Sequence, residues 1–182
     1  IRYTLAAAEE LGLIENREGK YHFVAEDQAV ASPSAFRRYV SPRVFSKGDT
    51  TFFKTTEWFV SSNKAVLPLN TFATVAAEIV KSGLSHVDEN DVLGWRFWIR
   101  FLGLGYQYEK TLIPNLCIRL QDAMHNIPVG TEMSGTEFLT WLKTNVPEAA
   151  SSCTQAGLCL AVSNGLRTLH DLGKIQIVSA ND

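Results

Sequence analysis

The residues in this chain that could do chemistry are few and scattered. The three cysteines, Cys117, Cys153 and Cys159, form no C-x-x-C pair, and no histidine lies near Cys153 or Cys159 in sequence. They read as buried or free thiols of a reducing cytoplasm. His22, His86, His125 and His170 match no zinc-ligand spacing. The run His86-Val87-Asp88-Glu89-Asn90-Asp91 lacks the glycine and terminal glutamate of a calcium loop. It reads instead as a helix cap favoured by the helix dipole. Gly103-Leu104-Gly105 is not followed by the Gly-Lys-Ser/Thr of a phosphate loop. No metal, cofactor or catalytic role is implied, so the expected activity is binding.

Binding chemistry is carried by cations. Arg2, Tyr3 and Thr4 open the first helix, and Arg17 and Lys20 sit at a hairpin tip. Arg37, Arg38, Arg43 and Lys47 form the densest basic cluster. On one face they would make a phosphate-binding strip. The opposing reading pairs them with Glu9, Glu10, Glu15 and Glu18. A second candidate is the last helix, where Ser163, Asn164, Arg167, Thr168 and His170 are suited to base edges and phosphates in a major groove. Its alternative is a solvated helix face. From Ser134 onward Lys143, Arg167 and Lys174 are outnumbered by Glu137, Glu148, Asp171 and Asp182. The net charge of −2 and pI near 6.1 exclude a generally basic nucleic-acid binder, though not a local basic patch.

The elements that must position these residues repeat one phrase: an apolar helix end, a glycine, then a strand. The copies are Leu5, Ala8, Leu11, Gly12, Leu13, Ile14; Trp98, Phe101, Leu102, Gly103, Leu104, Gly105; and Leu166, Leu169, Leu172, Gly173, Lys174, Ile175. Apolar spacings of three and four predict a helix, and the glycine fits its left-handed end. Strands are predicted at 13–15 and 21–25 around the four-residue tip Asn16-Arg17-Glu18-Gly19, and a small hairpin over 105–112. Ser32-Pro33 starts a short helix that Pro42 interrupts. Further helices are predicted at 51–62, at 71–82 capped by Asn70, and at 89–102 capped by Asp88. Others are expected from Pro114 to 126, at 136–143, after Pro147, and at 156–172, with a final strand at 174–179. The helix at 89–102 is apolar around much of its circumference, which predicts a central, buried position. Phe52, Phe53, Trp58 and Phe59 add to the aromatic content of the middle, whose rings suit a core or a partner interface.

With 46% hydrophobic and 20% charged residues, the 182-residue chain can bury a substantial core. No apolar run approaches a membrane span. The chain opens on Ile1, inside a predicted helix, and reads as a fragment of a longer protein or one whose start was removed. Breaks near 64–70 and 127–134 divide it into a helix-and-hairpin unit with a helical extension (1–64), a helical middle unit (65–130) and a C-terminal unit of helices ending in a strand (131–182).

The helix–Leu-Gly–strand ends, with the wing-like hairpin from Leu13 to Ala25, resemble the winged-helix superfamily over residues 1–25 and 134–179. The stretch from Glu57-Trp58-Phe59 through Trp98, Phe101-Leu102-Gly103 and Ile113-Pro114-Asn115 is similar to accessory proteins of bacterial phage-defence islands that act on modified DNA. Together these resemblances imply a mainly α protein of tandem winged-helix-like units with small β-hairpins. The implied role is a cytoplasmic, double-stranded-DNA-binding accessory or regulatory module of a larger bacterial protein. The alternative is a protein-interaction scaffold in a multi-subunit complex.

Overall fold

The computed structural model describes residues 2–178, with side chains from Thr4 onward. The chain is mainly helical with two small antiparallel hairpins, and it divides into two compact units, 1–47 and 48–182. The first contains α1 (Arg2–Glu10), β1 (Ile14–Arg17), β2 (Lys20–Phe23), a 3₁₀ turn (Asp27–Val30) and α2 (Pro33–Phe45). The second contains α3 (Thr51–Ser61), a 3₁₀ turn (Asn63–Val66), α4 (Phe72–Lys81) and α5 (Glu89–Phe101). It continues with β3 (Gly105–Tyr108), β4 (Thr111–Pro114), α6 (Cys117–Ala123), α7 (Gly135–Asn145), α8 (Pro147–Ala150) and α9 (Leu160–Asp171).

The recurrent glycine phrase has one geometry at all three places. Gly12, Gly103 and Gly173 have φ of 69°, 77° and 66°. In each, the glycine N–H reaches the carbonyl three residues back (Glu9, Arg100, His170). The next N–H reaches the carbonyl five back (Ala8, Ile99, Leu169), at 2.9–3.2 Å throughout. This double bond pattern closes a helix with a left-handed residue. Hairpins follow the first two copies. After the third, residues 174–178 carry no strand, which corrects the expected final strand over the described residues.

The first hairpin has a two-residue turn, Glu18 (φ 53°) and Gly19 (φ 80°), rather than the expected four-residue tip. Two positive φ values match the twist of paired strands, and the Asn16 side chain accepts from the Gly19 N–H at 3.0 Å. The strands are displaced accordingly, and Arg17 faces Lys20 across the last rung. Helix α2 starts as expected, with Ser32 Oγ accepting from the Ala35 N–H at 3.1 Å. It runs through Pro42 instead of breaking there. Pro42 is exposed, while Val40 and Phe45 on either side are buried, so packing outweighs one lost backbone bond.

In the second unit, α9 is a central strut packed on α6. Ala161, Val162 and Leu169 of α9 and Leu116 and Leu120 beside them are 0–1% exposed. The crossing is close because position 165 is glycine: a Cβ there would lie 2.8 Å from the Leu116 carbonyl carbon and the Cys117 nitrogen. The amide groups at the start of α6 find acceptors in other elements. The Leu116 N–H donates to the Ala161 carbonyl at 3.0 Å and the Arg119 N–H to the Gly103 carbonyl at 3.2 Å. Pro114 belongs to β4, so α6 begins three residues later than expected. Helix α9 begins at Leu160, not 156, because Thr154 and Gly157 exchange backbone hydrogen bonds and fold the chain back. Its first N–H is capped at 2.7 Å by Asn63 Oδ1, a residue remote in sequence. The cap of α4 is Thr71 in place of Asn70.

A buried ion pair ties α6 to the α7–α8 corner. Arg119 Nε donates to Glu148 Oε1 at 2.7 Å, with side chains 4% and 0% exposed, and Arg119 Nη2 donates to the Asn145 carbonyl at 2.8 Å. Burial raises the Glu148 carboxyl above its ordinary range against the opposing pull of Arg119.

Candidate binding surface

Helix α5 starts where Asp88 caps it: Asp88 Oδ1 accepts from the Asn90 and Asp91 N–H groups at 2.8 and 2.9 Å, and Asp91 bonds back to the Asp88 N–H at 3.0 Å. The acidic run is thus spent on the cap. Among the described residues no group of three or more His, Cys, Asp or Glu could hold a metal ion. No described helix is long and apolar enough to cross a membrane.

The all-round apolar character of α5 resolves into two faces. Val92, Trp95, Ile99 and the capping Leu102 are buried, with Trp95 Nε1 donating to Thr56 Oγ1 at 3.2 Å. On the other face Leu93 is 54% and Phe97 63% exposed. The expected central burial therefore holds for half the helix only. The rings on the outer side are continuous. Phe97 stacks on Phe101 with centroids 6.5 Å apart and 3° between planes. Trp98 meets both rings edge-on at 5.7 and 5.9 Å. Residues 93, 97 and 101 recur at i, i+4 and i+8, one stripe of a helix. Arg100 is exposed on the same helix and donates from Nη1 to Gln107 Oε1 of β3 at 3.2 Å. The hairpin turns Tyr106 and Tyr108 outward, while Leu112 and Pro114 point into the core.

Behind this helix is a cavity of about 10 Å³, at the lower bound for one water. Trp58, Phe59, Val75 and Trp95 line it with Arg96, whose Nη2 donates to the Lys110 carbonyl at 2.9 Å. Burial lowers the Arg96 pKa, and the charge of Arg100 adds to the fall. Its size is that of a packing gap.

The cations predicted from sequence are placed as follows. The Arg2 side chain lies outside the described residues, and Thr4 is exposed on α1. Arg17 and Lys20 are exposed, and paired positions place them on one hairpin face with Glu15 and His22. Arg17 donates to Glu15 Oε2 from Nε and Nη2 at 3.0 and 2.7 Å. Arg37 and Arg38 are half-buried. Arg43 lies over the Tyr39 ring, 3.6 Å from its centroid, and donates to the Tyr39 carbonyl, while Tyr39 Oη donates to the Gly12 carbonyl. Arg43 thus braces the α1–β1 turn.

In α9, Ser163 is half-buried and Asn164 Nδ2 donates to the Pro114 carbonyl at 3.1 Å. Thr168 Oγ1 donates to the Asn164 carbonyl and accepts from Asn115. Arg167 is exposed. Asn164 therefore pins the end of β4 to α9. Asn164→Ala is expected to lower stability by about 1 kcal/mol, read as a shift in denaturant midpoint. A base-reading role would instead leave stability unchanged.

Compared with protein-family models, curated proteins and solved structures, the chain matches none.

Proposed function

We propose that this chain is a protein-interaction module, and that the outer face of α5 is its docking surface. The observation that carries this reading is the continuous stripe of Leu93, Phe97 and Phe101, with two side chains more than half exposed. Contiguous exposed apolar patches on soluble proteins mark interaction sites. Aromatic residues and arginine dominate the energetic centres of such interfaces, and Arg100 stands beside the rings. The partner class that fits is an amphipathic segment of another protein, its apolar side laid along the stripe. The winged-helix resemblance enters as architecture: a helix, a left-handed glycine and a hairpin occur in both units.

The double variant Leu93→Ser, Phe97→Ser is expected to stay folded, because both side chains are more than half exposed and the packing lost is the ring contact of Phe97 with Trp98 and Phe101. It is also expected to lose a partner that wild type retains in co-purification from its native cells. Equal retention would overturn the reading.

A second reading, duplex-DNA contact by the first unit, is favoured by the exposed Arg17–Lys20 rung. Residues 1–47 hold seven Lys and Arg against six Asp and Glu, while 48–182 hold ten against thirteen. The Arg17–Glu15 pair is solvent-exposed and of little net worth, so Arg17 is free to exchange Glu15 for a phosphate. Binding should appear at low salt and weaken steeply as salt rises, with Arg17→Glu, Lys20→Glu abolishing it. No mobility shift at low salt removes this reading.

A further inference from the structure

We propose that Cys153 and Cys159 are a redox-active dithiol that hydrogen peroxide closes to a disulfide. The two sulfurs are 3.5 Å apart although five residues intervene. Thr154 and Gly157 exchange backbone hydrogen bonds of 3.0 and 3.1 Å and bring the ends of the loop together. The Cys159 N–H also points at Cys153 Sγ, at 3.4 Å. A disulfide needs an S–S separation of about 2.05 Å, so about 1.5 Å of closure remains.

The two thiols have different environments. The hydrogen bond between the two sulfurs holds the Cys153 thiol down at about 7 and, together with burial, pushes the Cys159 thiol up. Because the Cys159 N–H is aimed at Cys153 Sγ, Cys153 is the attacking thiolate and Cys159 the resolving thiol. Both are nearly buried, at 2% and 4% exposure, whereas residues 154–158 between them are exposed. A molecule as small as peroxide needs only a local opening of this loop.

The steps balance. The Cys153 thiolate attacks a peroxide oxygen; an S–O bond forms, the O–O bond breaks, and the leaving hydroxide takes a proton to become water. Cys159 sulfur then attacks the Cys153 sulfenic acid; the S–S bond forms as the S–O bond breaks, and the thiol proton leaves with the hydroxide as a second water. Two thiols are oxidised and one peroxide is reduced. Cys117 is half-buried, and burial raises its thiol, so it is the internal reference.

The test is intact-mass and peptide mapping of the full chain after one equivalent of hydrogen peroxide and alkylation. The expected product has lost two hydrogens, carries an internal disulfide in the one tryptic peptide that holds Cys153 and Cys159, retains an alkylated Cys117 and reverts with dithiothreitol. Cys159→Ser should stop at a dimedone-reactive sulfenic acid on Cys153. Oxidation of Cys117 ahead of the pair, or a pair that stays fully alkylated, overturns the proposal. Wild-type mapping decides the matter even where a serine variant fails to fold.

Discussion

Arg119→Ala is expected to destabilise the second unit by about 3–5 kcal/mol, because it strands a buried carboxylate. Glu148 is fully enclosed and its partner in the pair is the Arg119 guanidinium at 2.7 Å. Removing that partner leaves a desolvated charge, or forces Glu148 to take up a proton. The guanidinium's second bond, to the Asn145 carbonyl, is lost at the same time and loosens the end of α7. Glu148→Gln should cost less, since an amide oxygen still accepts from Arg119 and no buried negative charge is required. The double change Arg119→Met, Glu148→Leu should lie near wild type, because apolar replacement of a whole buried pair is often neutral or better. The four tryptophans, Trp58, Trp95, Trp98 and Trp141, all fall in the second unit, so denaturation followed by their fluorescence reads that unit alone.

Gly103→Ala is expected to cost about 2–5 kcal/mol, combining a left-handed backbone with overpacking. Its φ is 77°, and an added Cβ would lie 2.6 Å from Ile118 Cβ and Cγ2 and 2.9 Å from the Arg119 nitrogen. None of these atoms is the free end of a flexible side chain. The Gly103 carbonyl also accepts from Arg119 N–H, so any shift that relieves the clash strains the start of α6. Gly173→Ala supplies the contrast. Its φ is 66° with nothing within 4 Å of the added carbon, so only the backbone cost of about 1–2 kcal/mol is expected. Equal losses at the two positions would show that packing on α6 contributes nothing.

The difference between those glycines also shows what was legible in the sequence. All three left-handed helix ends could be read, because the motif is local: apolar spacing and one glycine suffice. The caps at Ser32 and Asp88 were legible for the same reason, each bonding within three residues. What each glycine meets depends on residues far away in sequence and left no trace. Pairing of Arg119 with Glu148, and of Asn63 with the start of α9, is invisible on the same ground. Helix α5 is a different failure. When a helix carries apolar residues all round, periodicity cannot say which face is covered, so Leu93 and Phe97 looked like core. Asn164 shows the converse: a polar side chain on a helix suggests an outward role, and only the fold reveals that its amide bonds the carbonyl at the end of β4.

The most direct measurement is site-specific photo-cross-linking in the full-length protein within the cells that make it. A benzophenone side chain is placed at Phe97 and, as a reference, at Lys143, an exposed position of the same unit. The expected result is a discrete protein adduct from position 97 and none from 143. Equal, diffuse labelling at both positions, with nucleic-acid adducts from the same side chain at Arg17, would contradict a protein-docking role for α5 and favour DNA contact by the first unit.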